Sequence, residues 1–188
     1  MNRVHRRICS SAKWGRRVED SILPWTLEGL ELGEDVLEIG PGFAATTRVL
    51  ARRPGRLTAV EIDADSANRL ADEFGSRLRV VHADATAMPL PDSTFSAVVC
   101  FTMLHHVPSP QLQDRVFAEA VRVVRPGGVF AGSDSQPSLR MRLIHIGDTL
   151  VPVPPDTLAT RLQAAGLVDV QVDGRPGRVR FRGVKPGA

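Results

Sequence analysis

Apolar and polar positions change period several times along the chain, and each change marks an element. Val36, Leu37 and Ile39 follow the polar run Gly33-Glu34-Asp35 and predict a buried strand that carries one acid, Glu38. Leu57–Glu61 and Arg77–His82 predict a second and a third strand. Phe95–Phe101 is a nearly continuous apolar run, as expected of a central parallel strand covered on both faces, and Val129–Ser133 predicts a fifth strand. Helical stretches lie between them. One is expected over Ala44–Arg53, and a second is capped by Asp63 or Asp65 and stopped at Gly75. A third opens on Ser109-Pro110 and runs to about Val124, before Arg125-Pro-Gly-Gly128. Residues 134–155 read as irregular or partly helical, and Asp156 as the cap of a helix ending at Gly166. Val168–Val172 and Arg178–Val184 are close enough to form an antiparallel hairpin across Asp173–Gly177. Residues 1–30 carry a loose apolar stripe (Ile8, Ala12, Val18, Ile22, Leu23) with Trp14 and Trp25 as anchors, and predict a helical cover broken at Pro24.

Strands that alternate with helices imply an α/β architecture, a doubly wound sheet with helices on both faces. Seven strands are expected, five parallel and closed by the C-terminal hairpin. The whole of 1–188 reads as one domain, with its core over 33–185. Ligands of such sheets bind at the carboxyl ends of the strands, where the winding reverses. Gly40–Gly42, Glu61, Asp84 and Phe101 all fall at strand ends, so they are expected to converge on one crevice.

Composition narrows the setting. The formal charge is only +3, but arginines crowd both ends: Arg3, Arg6, Arg7, Arg16 and Arg17 at the start, Arg175, Arg178, Arg180 and Arg182 near the finish. Such ends can meet nucleic acid or an acidic substrate, and more commonly form a solvated face. Cys9 and Cys100 are far apart and suggest neither a disulfide framework nor a metal-ligand cluster, and no metal site is expected. The opening Met-Asn-Arg-Val-His-Arg-Arg lacks the apolar core of a signal peptide, and no apolar run is long enough to span a bilayer. A cytoplasmic setting is the expectation.

The strongest local signal is Val36-Leu-Glu-Ile-Gly-Pro-Gly42. A strand, a glycine turn and a helix start bring backbone N–H groups and a positive helix end to one point. A Cβ at the glycines would keep a ligand off the backbone. Glu61 ends the next strand about 20 residues on, the spacing at which an acid can take a ribose diol. The third glycine of the dinucleotide pattern is missing, with Ala44 or Ala45 near its place. A tight turn in any α/β protein would look similar.

Taken in order, six segments resemble class I S-adenosylmethionine-dependent methyltransferases, in particular the small type 11 members. They are Val36–Gly42, Ala59-Val-Glu-Ile-Asp63, His82-Ala-Asp-Ala-Thr-Ala-Met-Pro-Leu90, Phe95–His106, Val123-Val-Arg-Pro-Gly-Gly128, and Leu162-Gln-Ala-Ala-Gly-Leu167 with its hairpin. The resemblance covers roughly residues 33–185 and implies a Rossmann-like fold with S-adenosyl-L-methionine as cofactor. It implies that Gly40, Pro41 and Gly42 approach the methionine and ribose part of the cofactor, that Glu38 orders its amino group, and that Glu61 takes the ribose hydroxyls. Ile62 would pack on adenine, Asp84 would accept from the adenine amino group with Ala85 beside it, and Cys100 and Phe101 would line the methionine side through backbone and ring. Asp84 as a loop cap, and Ile62 and Cys100 as core, are the plainer alternatives. Two positions depart from the family pattern: Ala44 replaces a common glycine, and Ser96 a common aspartate.

Methyl transfer is an in-line displacement that depends mostly on positioning, with a base needed only if the acceptor's proton must leave early. His105 and His106 lie just past the fourth strand and are the candidates for such a base; His5, Trp14 and His145 are candidate contacts from a lid. Cys100-Phe-Thr-Met replaces the Asn-Pro-Pro-Tyr type of motif that accepts methyl on nucleic-acid amines, and the chain contains no tyrosine. Both disfavour nucleic acid and favour a small-molecule or lipid-like acceptor. A nicotinamide-dependent dehydrogenase would share the glycine turn and the acid, but not the third glycine or the Tyr-Lys pair. A methyltransferase fold that binds cofactor, or has lost it, and acts through a partner is the alternative outside catalysis.

Overall fold

The structure is a computed structural model that describes residues 2–53 and 55–187. The chain opens with helices α1 (Arg3–Cys9), α2 (Ala12–Arg17), a π-helical turn (Val18–Ile22) and α3 (Leu23–Thr26). Strand β1 (Asp35–Ile39), helix α4 (Thr47–Leu50), β2 (Arg56–Glu61), α5 (Ala64–Phe74), β3 (Arg79–His82) and β4 (Phe95–Phe101) follow. Then come α6 (Pro110–Val123), β5 (Val124–Ser135), α7 (Leu139–Ile144), α8 (Pro155–Ala164), β6 (Val168–Arg175) and β7 (Arg178–Val184). The strands form one sheet in the order β3-β2-β1-β4-β5-β7-β6. β1 to β5 are parallel, and β7 runs antiparallel to both β5 and β6. The chain winds outward from β1 to β3, then returns to the other side at β4, so the winding reverses between β1 and β4.

Each face of the sheet carries its own core. Leu37, Ile39, Val98, Cys100, Phe130 and Phe181 face α6 and α8, whose Val116, Phe117, Leu158 and Leu162 are buried against them. Val36, Ala59, Ala97, Val99 and Phe101 point the other way, toward Ile22, Leu23, Leu70 and Phe74. Alternation along strands buried on both sides explains why β4 reads as unbroken apolar sequence.

Local signals account for most element ends. Asp63 accepts from Ser66 N–H at the start of α5, and Gly75 closes that helix at φ 54°. Ser109 accepts from Leu112 N–H ahead of Pro110. Four expectations are corrected. The helix over 44–53 shrinks to the single turn Thr47–Leu50, because Gly42 (φ 54°) and Ala44 (φ 62°) take left-handed conformations that no helix can include. The N-terminal break lies at Ser10-Ser11, where Ser11 caps α2; Pro24 instead follows the π-helical turn Val18–Ile22 inside a helical run that continues to Thr26. Pro154, not Asp156, is the N-cap of α8, and Asp156 lies inside the first turn. The hairpin turn tightens to Pro176-Gly177, with Gly177 at φ 77°.

The C-terminal arginines have inward partners, whereas Arg6, Arg7, Arg16 and Arg17 are exposed. Arg175 and Arg180 stack against the Trp25 ring, 4.2 and 5.2 Å from its centre, and Arg178 lies 5.4 Å from the Trp14 ring. Arg180 also pairs with Glu28 and Asp173. The C-terminal hairpin thus clamps the N-terminal helices through cation–π stacks and ion pairs. Ser96, at the start of β4, accepts from Asp35 N–H and donates to Leu32 O, fastening the entry of β1 at the end of the sheet remote from the glycine turn. Among the described residues no helix is long and apolar enough to cross a membrane.

Candidate functional site

A cavity of about 850 Å³ opens above the carboxyl ends of β1, β2 and β4, at the reversal of the winding. Its floor begins with the turn that leaves β1. Gly40 (φ 67°) passes so close to Met103 that a Cβ would come within 2.9 Å of its Cβ. Gly42 (φ 54°) has no atom within 4 Å of where a Cβ would project, so its backbone borders open space. Both need glycine, the first for closeness and conformation, the second for conformation.

Glu61, at the end of β2, is buried and forked between two backbone donors. Oε2 accepts from Gly42 N–H at 2.9 Å and Oε1 from Asp63 N–H at 3.0 Å. The acid therefore holds the turn after β1 and the start of α5 in one arrangement. Ile62 is 65% exposed and lines the cavity, which removes the reading of this side chain as core. Asp84 lines the opposite wall with Ala85; one of its oxygens accepts from Thr86 N–H at 2.8 Å, so the loop-capping role is real and leaves the second oxygen available.

Glu38 lies beneath the turn. The Thr46 hydroxyl donates to its Oε1, while Oε2 is buried with no partner. Burial pushes the Glu38 carboxyl up to about 7, against the opposing pull of the Thr46 and Thr47 hydroxyls. A carboxylate oxygen kept dry and unpaired is costly unless a ligand completes it. Phe101 lines the cavity, whereas Cys100 is 1% exposed, packs in the opposite core and is not part of the wall. The alternation of β4 decides this: consecutive side chains face opposite sides, and only Phe101 stands on the last step of the strand. Burial also raises the Cys100 thiol well above its ordinary value, which makes it inert.

The roof consists of α1, the short turn Leu104–His106 and the segment around α7. Asn2 donates from its side chain to Ile144 O and Ile146 O and from its backbone to Asp148. Gln113 reaches up from α6 to hold Leu104 O and Val151 O. His105 is buried, its Nδ1 2.5 Å from Asp134 Oδ1. Burial alone would raise the Asp134 carboxyl, but the adjoining His105 and two backbone N–H bonds overcome it and hold it below the usual carboxylate range. His106 stands beside His105, and His5 and His145 close in from above, so side chains 140 positions apart meet over the cavity. No motif spacing announces that meeting. Arg178 is buried in the cavity wall with Nη1 unpartnered, and burial lowers its guanidinium to about 10.

Residues 37–132 match the family described as the methyltransferase domain. The chain belongs to that family. This methyltransferase domain is 32% identical to the ribosomal RNA small subunit methyltransferase A of Synechococcus sp. (strain WH7803), over 73% of this chain and 58% of that protein. It spans about half the length of the curated relatives it matches. In fold it is similar to a chain from the complex between the Haloferax volcanii Trm112 methyltransferase activator and a methyltransferase, with a TM-score of 0.71, 14% identity and 99% of both chains covered. The Haemonchus contortus phosphoethanolamine N-methyltransferase 2, solved with phosphomonomethylethanolamine and S-adenosylhomocysteine, gives 0.71 at 16% identity over 88% of this chain and 52% of that one. The methyltransferase domain thus has the Rossmann-like class I fold, with the cavity at the winding reversal.

Proposed function

We propose that this domain binds S-adenosyl-L-methionine and transfers its methyl group to a small-molecule or lipid-like acceptor held under the roof. The observation that carries the reading is the glycine turn Gly40–Gly42 lining the cavity, fixed by Glu61 from the next strand, with the buried Glu38 carboxyl two residues before it on β1. Those residues fit the cofactor. Glu38 would take its ammonium, the Gly40–Gly42 backbone its methionine and ribose part, Glu61 the ribose hydroxyls, Ile62 and Ala85 the faces of adenine and Asp84 the adenine amino group. Phe101 would border the methionine side. The Cys100 side chain packs in the core, so any contact from this position would come through its backbone.

When bound, the cofactor supplies a methyl group on a positively charged sulfur, and the sulfur leaves neutral. What remains for the chain is to hold the acceptor in line and to keep water out. The cavity is continuous from the glycine turn to the roof and lies within the range that encloses small ligands. A nucleic-acid acceptor would need an open basic face; the C-terminal arginines are engaged with Trp14, Trp25, Glu28 and Asp173, which leaves that role to the exposed Arg6, Arg7, Arg16 and Arg17 of the N-terminal helices.

Calorimetric titration with S-adenosylhomocysteine, with NAD as control, tests the reading. Micromolar binding of the first and none of the second supports it. Binding of NAD, or of neither, removes it.

A further inference from the structure

Four imidazoles meet in the roof: His5 from α1, His105 and His106 from the turn after β4, and His145 from the end of α7. One nitrogen from each lies within 4.8 Å of all the others. The ring centres of His5 and His145, and of His105 and His106, are 4.2 Å apart. Three of the four are buried, at 6% or less exposure, and the fourth is half-buried. An apolar core does not assemble four such rings for packing alone, since each brings two polar nitrogens that must be satisfied.

The hydrogen bonds around the cluster settle which nitrogens are left over. Asp134 is an acceptor toward His105, so Nδ1 carries that proton and Nε2 presents a lone pair. Met141 O can only accept, so His145 donates from Nδ1 at 2.8 Å, and its Nε2 is likewise a lone pair. Both Nε2 atoms are buried without a hydrogen-bond partner. His5 Nδ1 lies 3.5 Å from Asp148 Oδ2. A carboxylate or carbonyl behind the far nitrogen is the arrangement that orients an imidazole ligand and strengthens its basicity.

We propose that His5, His105, His106 and His145 form a binding site for a divalent first-row transition metal, with Zn²⁺ as the reference ion. An all-imidazole set with no thiolate suits zinc, copper or nickel far better than magnesium or calcium, which prefer oxygen. In a tetrahedral zinc site the nitrogens stand about 3.3 Å apart, from Zn–N bonds of about 2.0–2.1 Å. The rings therefore need close by only about 1.5 Å at the widest pair. The four ligands come from three segments that have no covalent link nearby. One ion would pin α1 and the α7 segment to the body of the fold and so fasten the roof over the cavity. The site does not depend on the identity of the methyl donor or acceptor.

The test uses the full chain without a polyhistidine tag, freed of metal by chelation and dialysis. Titration with ZnCl₂ followed calorimetrically should give one equivalent bound with submicromolar affinity. CoCl₂ should produce the intense visible bands of a tetrahedral site, a readout that needs no variant. His145→Ala should weaken Zn²⁺ binding by on the order of 100-fold or more, and Asp134→Asn, which removes the carboxylate behind His105, by roughly 10- to 100-fold. His82→Gln, the histidine outside the cluster, should leave it unchanged. Substoichiometric, millimolar binding without visible bands would overturn the proposal, as would equal affinity in wild type and His145→Ala. S-adenosylhomocysteine titrated into the metal-free protein reports on the cofactor separately, so either proposal can fail alone.

Discussion

The Gly42 N–H donates to Glu61 Oε2 across 2.9 Å, joining two residues that lie 19 positions apart in sequence. The glycine turn and the acid are therefore one device. The carboxylate fixes the turn from the neighbouring strand while its other oxygen holds Asp63 N–H. Replacing Glu61 should damage both the fold and the ligand site. Glu61→Gln retains the shape but places an NH₂ group against one of two backbone donors, so it should cost about 1–3 kcal/mol of stability. The same change should lower affinity for S-adenosylhomocysteine about 10- to 100-fold. Thermal melts and calorimetry on one sample read both.

Asp84 makes a contrasting case. It is exposed, and its one described bond is to Thr86 N–H in its own loop. Asp84→Ala should leave the melting temperature within about 2 °C, as for a surface change of under 0.5 kcal/mol. Cofactor affinity should fall about 10-fold or more through the lost acceptor. An unchanged affinity would take Asp84 out of the site.

The N-terminal cover depends on Trp25. Its ring receives Arg175 and Arg180, and Arg180 also donates to Trp25 O. Trp25→Ala removes both stacks and a half-buried aromatic surface, so it should destabilise by about 2–3 kcal/mol. Trp25→Phe should recover most of that. Limited proteolysis should find new cleavage before residue 30 in the alanine variant alone.

These contrasts also show which parts of the molecule were legible in the chain. The strand count, the parallel strands closed by a hairpin, and the capped helices at Asp63 and Ser109 follow from periodicity and local hydrogen bonding, which are short-range properties; the order of the strands in the sheet does not. The convergence of Gly40–Gly42, Glu61, Asp84 and Phe101 also follows, because strand ends in a doubly wound sheet share one edge. Ala44 escaped, since nothing in an alanine announces a φ of 62°. The arginines escaped too: charge at the chain ends reads as solvated until the hairpin brings Arg175 and Arg180 onto Trp25. The histidine roof was legible only in part: His105 and His106 were expected near the crevice and His5 and His145 as lid contacts, but their meeting with one another was not. Positions 5, 105, 106 and 145 come together only through the placement of α1 and α7 over the sheet, a tertiary fact with no spacing to betray it.

Glu38 gives the pH test. Its carboxyl ionises near 7 in the fold, because burial opposes the charge, against an ordinary value of 4.5. The folded state therefore binds a proton that the unfolded state releases at lower pH. The stabilising contribution is complete below 4.5 and is lost as pH rises through 7, by at most about 3 kcal/mol over the window. Glu38→Gln should remove that slope in denaturant melts between pH 5 and 7.5. A cationic amino group placed at the unpaired Oε2 would favour the charged carboxylate, so cofactor binding near pH 6.5 should expel a proton. Calorimetry at that pH in two buffers of different ionisation enthalpy should then give different apparent heats, and the difference should vanish at pH 8.5 and in Glu38→Gln. Equal heats in both buffers at pH 6.5 would show that Glu38 does not meet the ligand's charge, and the unpaired oxygen would need another partner.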